Sequence, residues 1–213
     1  MGRYALPIGI FAVIGLLLGL VFFGASTTVN YSNGRATVQP IGAEWVRGNP
    51  TARVVVIEYS DFQCPACALY EPIAQQLTKD FGDQIAFVYR HYPLYQIHAN
   101  GDLAALVSEA AGLQGKFWQM HDLLFARQSQ WDKAVGPMTY FDAYAKELQL
   151  DIATFDADVA SDAVQQFVAD DYARGQQVGV NSTPTFLING TILKPNPAGY
   201  EPFKQLIEEA LKR

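Results

Sequence analysis

Two thiols stand two residues apart in Cys64-Pro65-Ala66-Cys67. Cysteines at that spacing can form a redox pair, half of a zinc site or a short structural bridge. Zinc needs about four ligands, and the remaining candidates, His91, His98 and His121, are far apart in the sequence. A bridge across so short a loop removes little chain entropy. Redox chemistry is therefore the leading reading. The run Arg53 to Tyr59 (RVVVIEY) before the pair is β-branched, and the residues after Pro65 turn helical. The pair thus falls at a strand-to-helix junction. There the unpaired N–H groups and the positive dipole end favour a thiolate on Cys64. Cys64 is expected to be the exposed nucleophile. Cys67, one turn inside, is expected to be the resolving thiol.

A second element is Asn181-Ser182-Thr183-Pro184, just before the short apolar run Thr185 to Ile188. Proline at the mouth of a strand is otherwise awkward. A cis Thr183–Pro184 bond would turn the chain and leave the backbone of Thr183 free to pair with an extended substrate.

Four separated segments, EYSDFQCPAC, HYPLYQIHAN, AAGLQGKFWQMHDLLF and GVNSTPTFLING, occur in this order. Together they resemble the membrane-anchored or secreted DsbA-like thiol–disulfide oxidoreductases, a thioredoxin-fold family. The resemblance covers roughly residues 45–213. It implies an α/β thioredoxin fold with an inserted helical subdomain at about residues 94–164. It implies that Cys64 attacks or is attacked, that Cys67 resolves, and that Pro184 is cis beside the cysteines, where with Thr183 it is expected to bind substrate. It also assigns Glu58, six residues before Cys64, as the buried acid that handles the proton of Cys67. The residues themselves lend some support, because a carboxyl in an apolar run is odd and burial would raise its pKa. In one respect the chain departs from the family. Strongly oxidising members carry His as the second central residue, and here it is Ala66. A nearby imidazolium would stabilise the thiolate further, so this pair is expected to be the weaker oxidant.

The elements that must position these residues read as strand, helix, strand: Arg53 to Tyr59, Pro65 to Phe81 and Gln84 to His91. That order fits a βαβ unit with a parallel pair. Trp45 and Val46 belong to a short lead-in ending at Asn49-Pro50, and Ser60 to Gln63 form a turn. In the first helix Leu69, Ile73, Leu77 and Phe81 recur every four residues. Helical patterns follow over Ala99 to Leu113, Phe117 to Phe125, Thr139 to Leu148, Asp151 to Val159 and Asp162 to Val178, with Asp151 as an N-cap. The runs Thr185 to Ile188 and Thr191 to Leu193 flank Asn189-Gly190, a strong hairpin signal. Tyr200 to Leu211 closes the chain with an amphipathic helix.

Ahead of this unit, Ala5 to Ala25 is an unbroken run of 21 apolar or small residues behind Arg3. At about 1.5 Å per residue it spans roughly 30 Å, a bilayer core. We expect residues 1–25 to be a membrane anchor, or a signal if cleaved at Gly24-Ala25-Ser26, with everything after it outside the cytoplasm. Residues 26–43 read as a flexible tether, and residues 44–213 as one folded unit.

The net charge of −6 and the pI near 5.0 speak against a nucleic-acid partner. With 13% aromatic residues and no short repeat, collagen, coiled-coil and disordered classes are excluded. His98 and His121 read as capping or core hydrogen-bonding residues, and the aromatics between Gln84 and Phe125 as core. No metal or cofactor is expected. The partners expected are cysteine-containing secreted or envelope proteins and a membrane or envelope redox protein that regenerates the pair, with the chain itself monomeric. A reductase or isomerase of the same fold, or a non-catalytic peptide-binding module, are the competing functions.

Overall fold

The β-branched run that precedes the cysteines is a central strand. In the computed structural model, which describes residues 31–32, 35–36 and 44–213, it forms β4, Val54–Ser60, buried along its whole length. The anchor segment and most of the tether lie outside the described residues. Within the tether, the two-residue strands β1 (Tyr31–Ser32) and β2 (Arg35–Ala36) pair antiparallel. The main sheet has five strands in the order β3 (Trp45–Gly48), β5 (Ile85–His91), β4, β6 (Thr185–Ile188) and β7 (Thr191–Ile192). β4 and β5 run parallel, joined by the crossover helix α1 (Pro65–Phe81), and the other neighbouring pairs are antiparallel. A β-branched strand buried on both faces needs cover on both. Val54 and Val56 pack against α1 and the C-terminal helix α8 (Tyr200–Leu211). Val55, Ile57 and Tyr59 face the other way, towards Tyr92, Tyr172 and Val180.

Between β5 and β6 lies a run of helices: α2 (Gly101–Leu113), α3 (Phe117–Ala126), α4 (Gln128–Trp131), α5 (Met138–Glu147), α6 (Ile152–Val159) and α7 (Asp162–Gln177). Their apolar faces close on a core that includes Phe62, Phe117, Leu124, Trp131, Phe141 and Phe155. As expected, Asp151 caps α6, its Oδ1 accepting from Thr154 N at 2.7 Å. The aromatics of β5 and α3 are core residues, also as expected: Tyr89, Phe117 and Phe125 are buried. This is the thioredoxin fold with a helical insertion.

Two readings of the sequence need correction. The lead-in containing Trp45 is a strand, paired antiparallel with β5, Trp45 opposite Tyr89 and Gly48 opposite Ala86. Four residues with an Arg and a Gly give no alternation to read, because an edge strand is buried on little of its surface. Trp45 is held from the insertion instead, stacking on Phe117 at 4.5 Å and donating to Glu109 Oε1 at 2.6 Å. Gly48 has φ +88°, and a Cβ there would meet Ile85 O at 2.4 Å, so β3 ends on glycine for steric reasons. The second correction concerns α1. Leu69 is 75% exposed, and the buried stripe is Cys67, Glu71, Ala74, Leu77 and Phe81. A strict four-residue repeat drifts about 40° per step around a 3.6-residue helix, which carries Leu69 off the core. The true stripe contains a carboxylate, Glu71.

Candidate active site

The local sequence makes Cys64 the N-cap of α1. Its φ and ψ are extended, −71° and 121°, and Pro65 occupies the first turn, where a missing N–H costs nothing. The Cys64 N–H donates to Asp61 O at 3.0 Å, and its carbonyl accepts from Ala68 N at 3.2 Å. Both cysteines are free thiols; Cys67 is fully buried and Cys64 is 6% exposed. Cys64 is thus less open than expected, because the loop before β6 lies over it. Its Sγ donates to the carbonyl of Thr183 at 3.4 Å, and the Thr183–Pro184 bond is cis. The fold therefore brings Thr183 and Pro184 against a sulfur 119 residues away in the chain.

The two thiols are electrostatically unlike. A hydrogen bond from the Cys67 thiol pulls Cys64 down to about 5. Burial opposes this, and the Thr183 side chain and the backbone N–H groups of Cys67 and Ala66 add to it. Burial holds Cys67 well above the usual thiol range, reinforced by its hydrogen bond to Cys64 and by the charges of Cys64 and Glu58. Proximity at the helix end thus divides two identical groups into a ready thiolate and a retained thiol. A thiolate stabilised from 9.0 to about 5 favours the dithiol form at neutral pH by up to about 3 kcal/mol, before solvent screening, which corresponds to up to roughly 60 mV.

Glu58 lies on the inner face of β4, between Tyr89 of β5 and Phe186 of β6. It is 2% exposed, a buried carboxyl. Burial, then the charge of Glu71, push its carboxyl up to about 8, against a hydrogen bond from Ser60 Oγ to Oε1 at 2.8 Å. Its other oxygen, Oε2, is buried without a hydrogen-bond partner among the described residues. A carboxyl with a pKa near neutrality can take a proton from Cys67 and return it.

The insertion holds the cysteine loop through groups that sequence reasoning missed. Asp61 accepts from Gln63 N, Leu94 N and His98 Nδ1 at 2.6–2.8 Å. Gln63 Oε1 accepts from Asn100 N at 2.6 Å, and Gln128 Nε2 donates to the carbonyls of Phe62 at 2.6 Å and Cys64 at 3.1 Å. Asn100 Nδ2 donates to the carbonyls of Trp131, Asp132 and Ala134 at 3.0–3.3 Å. Polar residues in loops carry no periodicity, so nothing in the sequence ranked these above their neighbours. Asn100→Ala would leave those carbonyls short of a donor. It is expected to lower stability by about 1–3 kcal/mol, read as a fall in the thermal midpoint.

A second polar cluster lies under α1. Glu71, His121 and Asp122 bring ligand-type atoms within 4.8 Å of one another. The guanidinium of Arg47 on β3 already pairs with Glu71 and Asp122 and lies 4.2 Å from the Trp118 ring. A cation's place is therefore filled by a side chain. His121 bonds Asp122 through Nδ1 at 2.9 Å, and His98 bonds Asp61, so both histidines are hydrogen-bonded residues as expected.

A family model described as Thioredoxin matches residues 41–209. Among solved structures, oxidised BdbD from Bacillus subtilis superposes with a TM-score of 0.73 at 26% identity, covering 84% of this chain and 99% of that one. A thioredoxin-like oxidoreductase from Silicibacter pomeroyi superposes with a TM-score of 0.67 at 27% identity, covering 80% and 93%. A curated relative, Na(+)/H(+) antiporter NhaA 1 from Salinispora arenicola, is 41% identical over 145 residues, 68% of this chain and 21% of that protein. The chain spans about a fifth to a quarter of the length of the curated relatives it matches. Since the family match takes in nearly all the described sheet and helices, the chain belongs to the thioredoxin family, with the DsbA-like fold of the thiol–disulfide oxidoreductases.

Proposed function

We propose that this chain is an extracytoplasmic thiol–disulfide oxidoreductase that forms disulfides in secreted or envelope proteins through Cys64 and Cys67. The observation that carries the reading is the asymmetry of the pair: Cys64 pulled down to about 5 beside Thr183, Cys67 buried and held high. In the oxidised enzyme a client thiolate attacks Cys64 Sγ. The Cys64–Cys67 bond breaks, and Cys67 leaves as a thiolate that takes a proton from Glu58. A second client thiolate then attacks the client sulfur of the mixed disulfide. Cys64, the more stable thiolate, departs, and the client gains the disulfide while the enzyme keeps the two electrons. The Thr183 carbonyl lies next to the reacting sulfur and suits an extended client strand.

Regeneration requires an oxidising partner, for which a membrane or envelope protein with its own disulfide is the class. The run from Ala5 to Ala25 supports a tether beside it, which would raise the effective concentration. Antiport, the activity in the name of the Salinispora arenicola relative, does not carry over, because this chain covers so little of that protein.

The reduction potential against a glutathione series tests the direction. A value above about −180 mV supports the oxidase, whereas one near −270 mV would make the chain a reductase. Ala66 is half-buried against the insertion core rather than open to solvent, so a charge placed there should be felt. Ala66→His is expected to raise the potential by a few tens of millivolts and to lower the Cys64 pKa, since about 30 mV corresponds to 1.4 kcal/mol. An unchanged potential, or a pKa that rises, would show that other residues set the poise.

A further inference from the structure

Thr183 and Pro184 stand where client recognition is proposed, yet both precede β6. The pairing of β6 with β4 begins at Thr185, opposite Tyr59. On its other side β6 pairs with β7, Leu187 opposite Ile192, and Leu193 N donates to Phe186 O at 2.8 Å. Hydrogen-bonded pairs in an antiparallel ladder recur at every second residue. The next one would therefore join Pro184 to Pro195. Neither residue has an N–H, so neither bond of that pair can form. Pro184 is buried, and its carbonyl takes a donor from a side chain instead: Asn196 Nδ2, at 2.7 Å. One residue further on, the carbonyl of the buried Pro197 accepts from Tyr70 Oη at 3.0 Å. Tyr70 belongs to α1, the helix that Cys64 caps, and its ring centroid lies 5.2 Å from that of Phe186 on β6. Residues 195–197 thus form a strap, with one end on Pro184 and the other on the cysteine helix.

We infer that Asn196 is a positioning residue for the client strand: through its bond to Pro184, and with Tyr70 at the far end of the strap, it fixes the Thr183–Pro184 segment relative to Cys64. The inference rests on the thiol–disulfide activity proposed for this chain. A client strand that pairs with the backbone of Thr183 must present its sulfur in line with the Cys64–Cys67 bond. A segment already in place spares the cost of ordering it on binding. The bond from Cys64 Sγ to Thr183 O cannot do the placing throughout the cycle. It needs the thiol hydrogen, which Cys64 lacks both as a thiolate and in a disulfide. The strap bonds involve no redox atom. Their donors, a carboxamide and a phenol, keep their hydrogens at neutral pH.

The run Lys194-Pro195-Asn196-Pro197 fits this role. Two residues without an N–H end the edge strand, and the side chain between them is left to make the bond that the backbone cannot.

The test mixes the full chain, oxidised at Cys64–Cys67, with an excess of an unstructured peptide containing two reduced cysteines. The two peptide thiols become a disulfide, and the two electrons pass to the enzyme pair. The single-turnover rate against peptide concentration gives a half-saturating concentration and a limiting rate. Dithiothreitol reduces the same enzyme disulfide but has no peptide backbone, and serves as the control. Asn196→Asp keeps the size of the side chain and replaces the donor with an acceptor. It is expected to raise the half-saturating peptide concentration roughly tenfold, with the limiting rate within about twofold of the parent. Reduction by dithiothreitol should proceed at the parent rate. Tyr70→Phe removes only a hydroxyl and covers the case in which the first variant folds poorly. It should raise half-saturation by about fivefold. In the double variant the two effects should combine to less than their product, because a strap released at one end positions nothing. A role in general stability alone would slow the peptide and dithiothreitol reactions together, and that outcome would overturn the inference. Half-saturation within about twofold of the parent in a folded variant of either residue would overturn it as well. Such results would leave the proposed oxidoreductase activity standing, whereas peptide oxidation that survives Cys64→Ser would remove both.

Discussion

Cys64→Ser is expected to abolish thiol–disulfide exchange, and Cys67→Ser to accumulate mixed disulfides with client proteins. A serine hydroxyl does not ionise near neutral pH, and the chain has only two cysteines, so no other thiol can replace the nucleophile. The rate should therefore fall to that of the uncatalysed reaction. The second variant keeps the reactive thiolate. The hydrogen bond from the Cys67 thiol is the largest cause of the low Cys64 pKa, and a serine hydroxyl retains part of it as a donor. Attack on a disulfide still occurs, but Cys67 can no longer cleave the adduct, which persists wherever the client's own second thiol does not reach it. Non-reducing electrophoresis of each variant after incubation with a reduced secreted protein and glutathione disulfide reads both results. A trapped adduct in the Cys64 variant, and none in the Cys67 variant, would reverse the roles. The same samples distinguish the peptide-binding alternative, which predicts client binding that neither substitution changes.

Glu58→Gln is expected to act in two separable ways. Kinetically, it removes the group that takes the proton of Cys67. Resolution near neutral pH should fall by about a hundredfold, at the low end of general acid–base contributions, and its pH dependence near 8 should disappear. Cys64 alkylation, which titrates at about 5, should change little. Thermodynamically, the folded-state pKa of Glu58 is raised from 4.5 to about 8. Between those values the native state holds a proton that the unfolded chain releases. The contribution of Glu58 to stability is therefore most favourable below 4.5 and declines as pH rises towards about 8. Glutamine stays neutral throughout. At pH near 8 the variant should be the more stable by up to a few kcal/mol, the gap closing towards the acid side. Denaturant midpoints of parent and variant across that range measure this. Parallel curves, or unaltered resolution kinetics, would take Glu58 out of the mechanism. The depressed Cys64 contributes in the opposite sense, since its stabilisation is present at high pH and is lost as pH falls through about 5. It is common to parent and variant and cancels in the difference.

What could be read from the amino-acid sequence was whatever repeats over short range or is chemically rare. The run Arg53 to Tyr59 declares itself because burial on both faces selects contiguous β-branched residues, the helix Pro65–Phe81 because burial on one face imposes a period, and the cysteine pair because two thiols at that spacing in an otherwise cysteine-free chain have few uses. Asp151 was legible as a cap because its partner, Thr154, lies three residues on. A lone Glu in a β-branched strand signalled that something buried had to tolerate a carboxyl. The rest of the site depends on distances that no local pattern encodes. Whether Glu58 faced solvent or the core was decided by the register of β4 between β5 and β6. The pairing of Thr183 with Cys64 spans 119 residues, and the contact of Arg47 with Asp122 spans 75. The edge strand containing Trp45, the turning of Leu69 out to the surface, and the Gln63, Asn100 and Gln128 bonds that hold the cysteine loop appear only once the chain is closed. So does the neighbourhood of Arg47, Glu71 and His121, each of which looks locally like an ordinary polar residue. Sequence periodicity reports which residues are buried, because burial follows from the hydrophobic content of neighbours. It does not report which buried polar groups face one another, because that depends on the strand register and helix packing that folding alone establishes.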